Sequence, residues 1–547
     1  MKRQYEAPVV AAVILIGCIL PGCDNGSRDV IDATDSGPVT LDIMEDGVAD
    51  TLTEMPGDTG LGDEINGETW VSPLPFELER QDFGEPLTDA EITEFTRAIT
   101  GFWKDTEYFR WVKWHSHGVH PSNPEGQDDY ALWWQDTRSI KEGNTITFQH
   151  YGGADNITLR TCKVLNNAIA LYLMSGDEDA KWLVEQYCKG LAALSKGMEW
   201  GGENPVIKYI QARAIFTTNQ EYDIEPGRHV KVDYDPVKQK VVHSWNASTI
   251  PNVDNPYWPG MWVRNQRSKD DVPHMFRTVP LLMRLKNEAP DADVKAAAGL
   301  ALEYLRGFAK DIVDSGYLIR TKENGQTFVP NDDGAIKDLA SLVMYEEFIP
   351  NAECNGKLNA ALIAYGEPLD NQCLDGSGGA YEEIATTGHY FNYAIIRYFH
   401  AAAVANSLAA GDTEDAKALL QGWISRADRM MHDPDMPNRD SNVWDSDVAA
   451  TLIVAASAGL PLTSEEARLI QKQYLLSADH YRDWPYWDPW DESVPDGEFP
   501  YKPDRGTAVR PTEIAYLLEY CASSWRNEML TRLVDCDVVA DPARWGK

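Results

Sequence analysis

Positive charge is scarce in this chain. Its 547 residues carry 49 Lys and Arg against 86 Asp and Glu, a formal net charge of −37. A phosphate backbone wants a basic face, so nucleic acid is excluded as a partner. Long apolar runs are missing as well. After Val9 to Leu20, no stretch is long and apolar enough to span a bilayer. No CxxC spacing suggests a zinc ribbon, no CxxCH an attached haem, and no HExxH a zinc hydrolase. There is no GxSxG elbow, and Gly152-Gly153 lacks the following Lys-Ser/Thr of a phosphate loop.

What is present starts with processing signals. Lys2 and Arg3 precede the apolar run, which ends in Leu20-Pro21-Gly22-Cys23. A basic start and a short apolar segment are what a signal peptide needs. The motif resembles the lipobox of bacterial lipoproteins, and the resemblance implies cleavage before Cys23 and lipidation of its thiol. Residues 1–22 are then a signal peptide. Residues 23–70 form an acidic tether, since positions 24–70 hold 13 acidic residues against one basic and show no apolar period. Residues 71–547 make up a single helical domain. The implied place is the bacterial cell envelope, with the membrane as partner through the lipid anchor.

Export makes the cysteines readable. Of eight, Cys18 leaves with the signal and Cys23 takes the lipid. The other six allow 15 pairings. Sequential pairing is simplest: Cys162–Cys188, Cys354–Cys373 and Cys521–Cys536. An oxidising compartment favours bonds over thiols.

The body reads as repeated helical hairpins. Thr88 with Glu91 forms a capping box that opens a helix to about Trp103. Residues 157–174 and 178–198 are two helices joined by Ser175-Gly176-Asp177. ALYLMSGDEDAKWLVEQYCKGLAAL (169–193) parallels ANSLAAGDTEDAKALLQGWISRADRM (405–430): a small-residue helix end, a Gly stop, an Asp N-cap, then an amphipathic helix. Further junctions fall near 290 and 462, and a last hairpin spans 511–534. Such hairpins need neighbours to cover their apolar faces. The pattern resembles an (α/α) toroid, the fold of many secreted polysaccharide hydrolases and lyases. The resemblance implies an all-α fold of (α/α)6 type with long decorated loops.

The candidate chemistry is spread over several loops and helix starts. Trp258, Trp262, Arg267, Asp270, Asp271 and His274 share one aromatic, charged stretch before a helix. Asp270 and Asp271 stand four and three residues before His274, so all three share a helical face. A carboxylate beside an imidazole suits acid–base work, while an Asp at a helix start also serves as a cap. Arg267-Ser-Lys-Asp-Asp271 is loosely similar to a helix entry of some toroid families, which implies that Asp270 or Asp271 faces the cavity. His389, Tyr393, Arg397 and His400 form a polar stripe in an apolar helix. Trp444-Asp445-Ser446-Asp447 opens another helix with a carboxylate, either as a cap or as a catalytic acid.

His115, His117 and His120 lie within six residues and have the donor set for zinc or copper. The plainer alternative is a loop whose His residues pack among Trp111, Trp114, Trp133 and Trp134. The Asp-rich loops at 433–440 and 488–498 lack EF-hand spacing and read first as solvated acidic loops, with a structural calcium as the alternative. No cofactor is required by the main reading. Trp133, Trp134, Trp258 and Trp262 suit sugar faces, with Arg267 and Arg397 as charged substrate contacts.

The expected function is a lipid-anchored exported enzyme on a polysaccharide or oligosaccharide. Asp270, Asp271, His274, His389, Tyr393 and Asp445 are its acid–base candidates. Hydrolysis is favoured over elimination, because the acidic body suits a neutral glycan. The alternatives are a metal-dependent enzyme on the three His, and a glycan-binding or envelope-structural lipoprotein without turnover. Oligomeric state is not readable.

Overall fold

A computed structural model describes residues 74–117, 130–133, 137–150, 157–198, 208–217, 220–233, 235, 241–242, 249–250, 253–254, 261–264, 269–322, 343–347, 353–369, 373, 379–387, 390–500, 502–526 and 530–547. Most of these residues are helical. In chain order the helices are α1 (Asp89–Asp105), α2 (Tyr108–Trp114), α3 (Ile157–Ser175), α4 (Glu178–Lys196), α5 (Val272–Glu288), α6 (Ala292–Asp314), α7 (Glu353–Tyr365), α8 (Ala380–Thr386), α9 (Tyr390–Ala409), α10 (Thr413–His432), α11 (Trp444–Ser457), α12 (Ser464–Arg482), α13 (Pro511–Ile514), α14 (Tyr516–Ala522) and α15 (Cys536–Val539).

Local chemistry sets the helix ends. At α1 the Glu91 N–H donates to Thr88 Oγ1 at 3.2 Å and the Thr88 N–H to Glu91 Oε2 at 2.7 Å, a complete capping box. The two parallel hairpins turn at Gly176 and Gly411, with φ of +69° and +78°. A side chain at either position would cost about 1–2 kcal/mol in this left-handed backbone, so glycine is favoured at both turns. Asp177 and Asp412 then accept the Ala180 and Asp415 N–H groups at 2.9 and 3.1 Å and start α4 and α10.

Apolar faces set the packing. α5 buries Val272, Met275, Phe276, Val279, Leu282 and Leu285 completely, each contributing roughly 1.5–3 kcal/mol relative to exposure. Helix α3 packs on α5, α5 on α9, α9 on α11, α11 on α14, and α14 back on α3. Outside them, α4 lies on α3 and α6, α6 on α5 and α7, α10 on α8 and α9, and α12 on α11 and α1.

An all-α fold does not hold. A five-stranded sheet is built from β1 (Thr137–Glu142), β2 (Thr145–His150), β3 (Gln220–Glu225), β4 (Arg228–Asp233) and β5 (Gly497–Pro500), in the order β5-β1-β2-β4-β3. β2 and β4 run parallel and the other pairs antiparallel. Period-two alternation explains it: Ile146 and Phe148, with Val230 and Val232 beside them, point to the core. Further short pairs include 214–217 with 261–264.

Two disulfides close loops, Cys354–Cys373 and Cys521–Cys536. The expected Cys162–Cys188 bond is absent. These two residues are buried thiols on α3 and α4, and burial, with Cys162 beside it, pushes the Cys188 thiol well up.

The first described segment is strapped across the start of α12. Arg80 reaches both Glu466 oxygens at 2.9 and 2.6 Å and also the Pro461 carbonyl. Asp82 Oδ2 accepts the Ser464 N–H at 2.8 Å. Among the described residues no helix is long and apolar enough to cross a membrane.

Candidate functional site

Five helices deliver polar and charged side chains to one place. Lys163 comes from α3, His274 and Arg277 from α5, Arg397 and Tyr398 from α9, Asp447 from α11 and Glu513 from α13. His274, Asp447 and Glu513 lie in the first turn of their helices, and the others one to two turns further in.

Glu513 is the centre. Its Oε1 accepts from Lys163 Nζ at 3.4 Å, Arg397 Nη2 at 3.1 Å and Arg510 Nη1 at 3.2 Å. Arg397 is fully buried and also donates to Thr451 Oγ1 at 2.9 Å, the Asp447 carbonyl at 3.2 Å and the Tyr398 hydroxyl at 3.0 Å. The Tyr398 and Tyr516 hydroxyls are 2.7 Å apart. Arg505 Nη2 holds Asp447 Oδ1 at 2.5 Å. Deeper, Arg277 pairs with Glu519 and lies over the Tyr398 and Tyr516 rings. The His274 ring sits 4.0 Å from that of Tyr398, centroid to centroid.

This crowding separates the proton affinities. Burial alone would raise the Glu513 carboxyl, but Arg510, Lys163, Arg397 and Arg505 hold it well below the usual range. Burial, then Lys163, Arg277 and Arg397, push the His274 imidazole well down, so it is neutral at pH 7. For Tyr398 burial acts upward, yet Arg397 and Lys163, with Arg277, outweigh it and lower the phenol. Burial raises Glu519 to about 7 despite Arg277.

The segments expected to carry chemistry meet only in part. His274, Arg397 and Asp447 do converge. Arg397, expected at the substrate, is instead sealed among ion pairs. Asp271 is buried, and its Oδ1 accepts the Leu159 N–H of α3 at 3.0 Å, so it satisfies a neighbouring helix start. Asp270 is half-buried beside it. Asp445 points outward towards Gln473, at 3.4 Å, and Asp447 two residues on takes the inner position. The α9 stripe divides: His400 lies three residues, about 60° of helix, from Arg397 and faces Trp423 instead.

The three His assemble no described metal site. His115 is buried, its Nδ1 3.1 Å from the Trp111 carbonyl and its ring against Trp114 at 3.6 Å. Among the described residues no group of three His, Cys, Asp or Glu is arranged to hold a metal. Trp133 is not a stacking platform, because it is buried beside Trp111 and His115. Trp262 is half-buried on the 261–264 strand. His120, Trp134, Trp258, Arg267 and His389 lie outside the described residues, as do the His117 and Tyr393 side chains.

Lys163, Arg277, Tyr398, Arg505, Arg510, Glu513, Tyr516 and Glu519 escaped the sequence reading. Their one signal is a charge or a phenol set within an apolar helical stripe, as in Ile514-Ala-Tyr-Leu-Leu-Glu519. No known protein family matches the chain, and no curated protein or solved structure matches it either.

Proposed function

We propose that the chain is an exported, lipid-anchored enzyme that acts on an oligosaccharide or polysaccharide, with an (α/α)-toroid-like body around its site. The closed succession α3, α5, α9, α11, α14 supports the toroid reading. The observation that carries the functional reading is the meeting of Lys163, His274, Arg397, Asp447 and Glu513 in one place. Side chains from helices up to 350 residues apart are brought together there. A merely structural body has little need for such a concentration of charge, whereas active sites are where burial and neighbouring charges drive proton affinities apart.

Hydrolysis needs two carboxyl groups flanking a glycosidic bond, and the two candidates are Asp447, in α11 within the cluster, and Asp270, half-buried just before α5. Arg505 holds Asp447 in place. Binding without turnover is the second reading, favoured by the complete burial of Arg397, Tyr398 and Glu513.

The test is product release from a panel of glycans by wild type, Asp270→Asn and Asp447→Asn. The expected result is turnover of one class and a loss of about 100-fold or more in both variants, with native circular dichroism. Turnover that neither change affects removes this site from the chemistry. Retention of a glycan with no product replaces the enzyme by a binding protein.

A further inference from the structure

We propose that the Glu513 cluster binds an anionic group, the carboxylate of an acidic sugar, entering beside Arg510. The sugar half of this rests on the carbohydrate reading above. The charge balance carries the anionic half. Three cations share the Glu513 carboxylate, through Lys163, Arg397 and Arg510, which leaves two positive charges there without a carboxylate of their own. The neighbouring pairs are balanced, Arg505 with Asp447 and Arg277 with Glu519. Lys163 and Arg397 are buried while Arg510 is half-exposed, so part of this surplus lies out of water, where uncompensated charge is expensive. In a chain of net charge −37, such a surplus is also against the composition.

Donors are in surplus too. Among the described residues Lys163 Nζ makes one hydrogen bond, to Glu513, and the Arg510 side chain makes one, from Nη1. Arg397 Nε and Arg277 Nη1 are buried and meet no acceptor among the described residues. Arg510 is the way in. Its side chain is 46% exposed, so a solute can reach it from water. A guanidinium with a free edge takes a carboxylate through two parallel N–H bonds. A neutral sugar offers nothing to the surplus charge. The overall acidity of the chain favours a neutral glycan, but this local patch reverses that preference.

Calorimetric titration of the full chain at pH 7 and low salt tests it, with sodium D-glucuronate, D-glucose and sodium sulfate as probes. Glucuronate is expected to bind at least about tenfold more tightly than glucose. Arg510→Gln, an exposed change that leaves the fold intact, is expected to weaken glucuronate about tenfold, and Lys163→Met to do the same. Glucose binding as tight as glucuronate overturns the anion site and leaves the carbohydrate reading standing. Sulfate binding as tight as glucuronate overturns the acidic sugar, with the anion site surviving as a site for a free inorganic anion. No binding of either anion to natively folded protein, or glucuronate affinity unchanged in both variants, overturns the proposal.

Discussion

Replacing Glu513 by Gln tests whether the cluster behaves as one buried electrostatic unit. The change keeps size and one carbonyl oxygen but removes the carboxylate under Lys163, Arg397 and Arg510. Removing one partner of a buried ion pair costs about 3–5 kcal/mol. Because the amide oxygen still accepts one hydrogen bond, the lower end applies, about 3 kcal/mol. Acid dependence gives a second handle. Glu513 is held below its ordinary value of 4.5, so the folded state binds its proton less readily than the unfolded state. Its contribution is complete above about 4.5 and is lost as pH falls through the lower folded value. Urea midpoints followed by tryptophan fluorescence should therefore show a constant gap between wild type and variant from pH 6 to 8. The gap should close on further acidification. A gap below about 0.5 kcal/mol at pH 7, the range of ordinary surface changes, would refute the reasoning, as would a gap that widens in acid.

Two further outcomes follow from the same physics. Arg80→Ala strips the buried Glu466 of its partner, side chains 4% and 1% exposed, so stability falls by about 3–5 kcal/mol. Proteolysis within 74–88 should also rise; an unchanged midpoint and an unchanged digestion pattern would count against the strap. Glu519, raised from 4.5 to about 7, binds its proton more tightly when folded. Stability therefore falls as pH rises through that window, by about 3 kcal/mol in all. From pH 5 to 8 the stability difference between Glu519→Gln and wild type should shift in the variant's favour by up to about 3 kcal/mol, on top of a constant loss from leaving Arg277 unpaired. A difference that does not change with pH would contradict this.

Helix boundaries were legible because their signals are local. Thr88 with Glu91, and the Gly–Asp pairs at 176–177 and 411–412, lie within a few residues of what they cap. The sheet was only half legible. Thr145 to Phe148 alternates, but pairing Gly497–Pro500 with Thr137–Glu142 joins positions hundreds of residues apart, and no local pattern encodes that. The site failed to show for the same reason. Glu513 is unremarkable in sequence until Lys163 and Arg397 arrive from other helices. Asp271 and His274 looked like an acid–base pair at helical spacing, but α3 lies close enough for Asp271 to take its N–H. Asp445 and Asp447 are equivalent by eye. Only the direction in which α11 packs shows that Asp447 faces inward and Asp445 faces water.

The most direct test of the central claim, that distant helices meet in one charged cluster, is a double-mutant cycle between Lys163 and Glu513. Stabilities of Lys163→Met, Glu513→Gln and the double variant give a coupling energy. If Lys163 Nζ and Glu513 Oε1 are 3.4 Å apart in a buried setting, coupling of about 1–3 kcal/mol is expected. Effects that add to within about 0.5 kcal/mol would show that α3 and α13 do not bring these charges together.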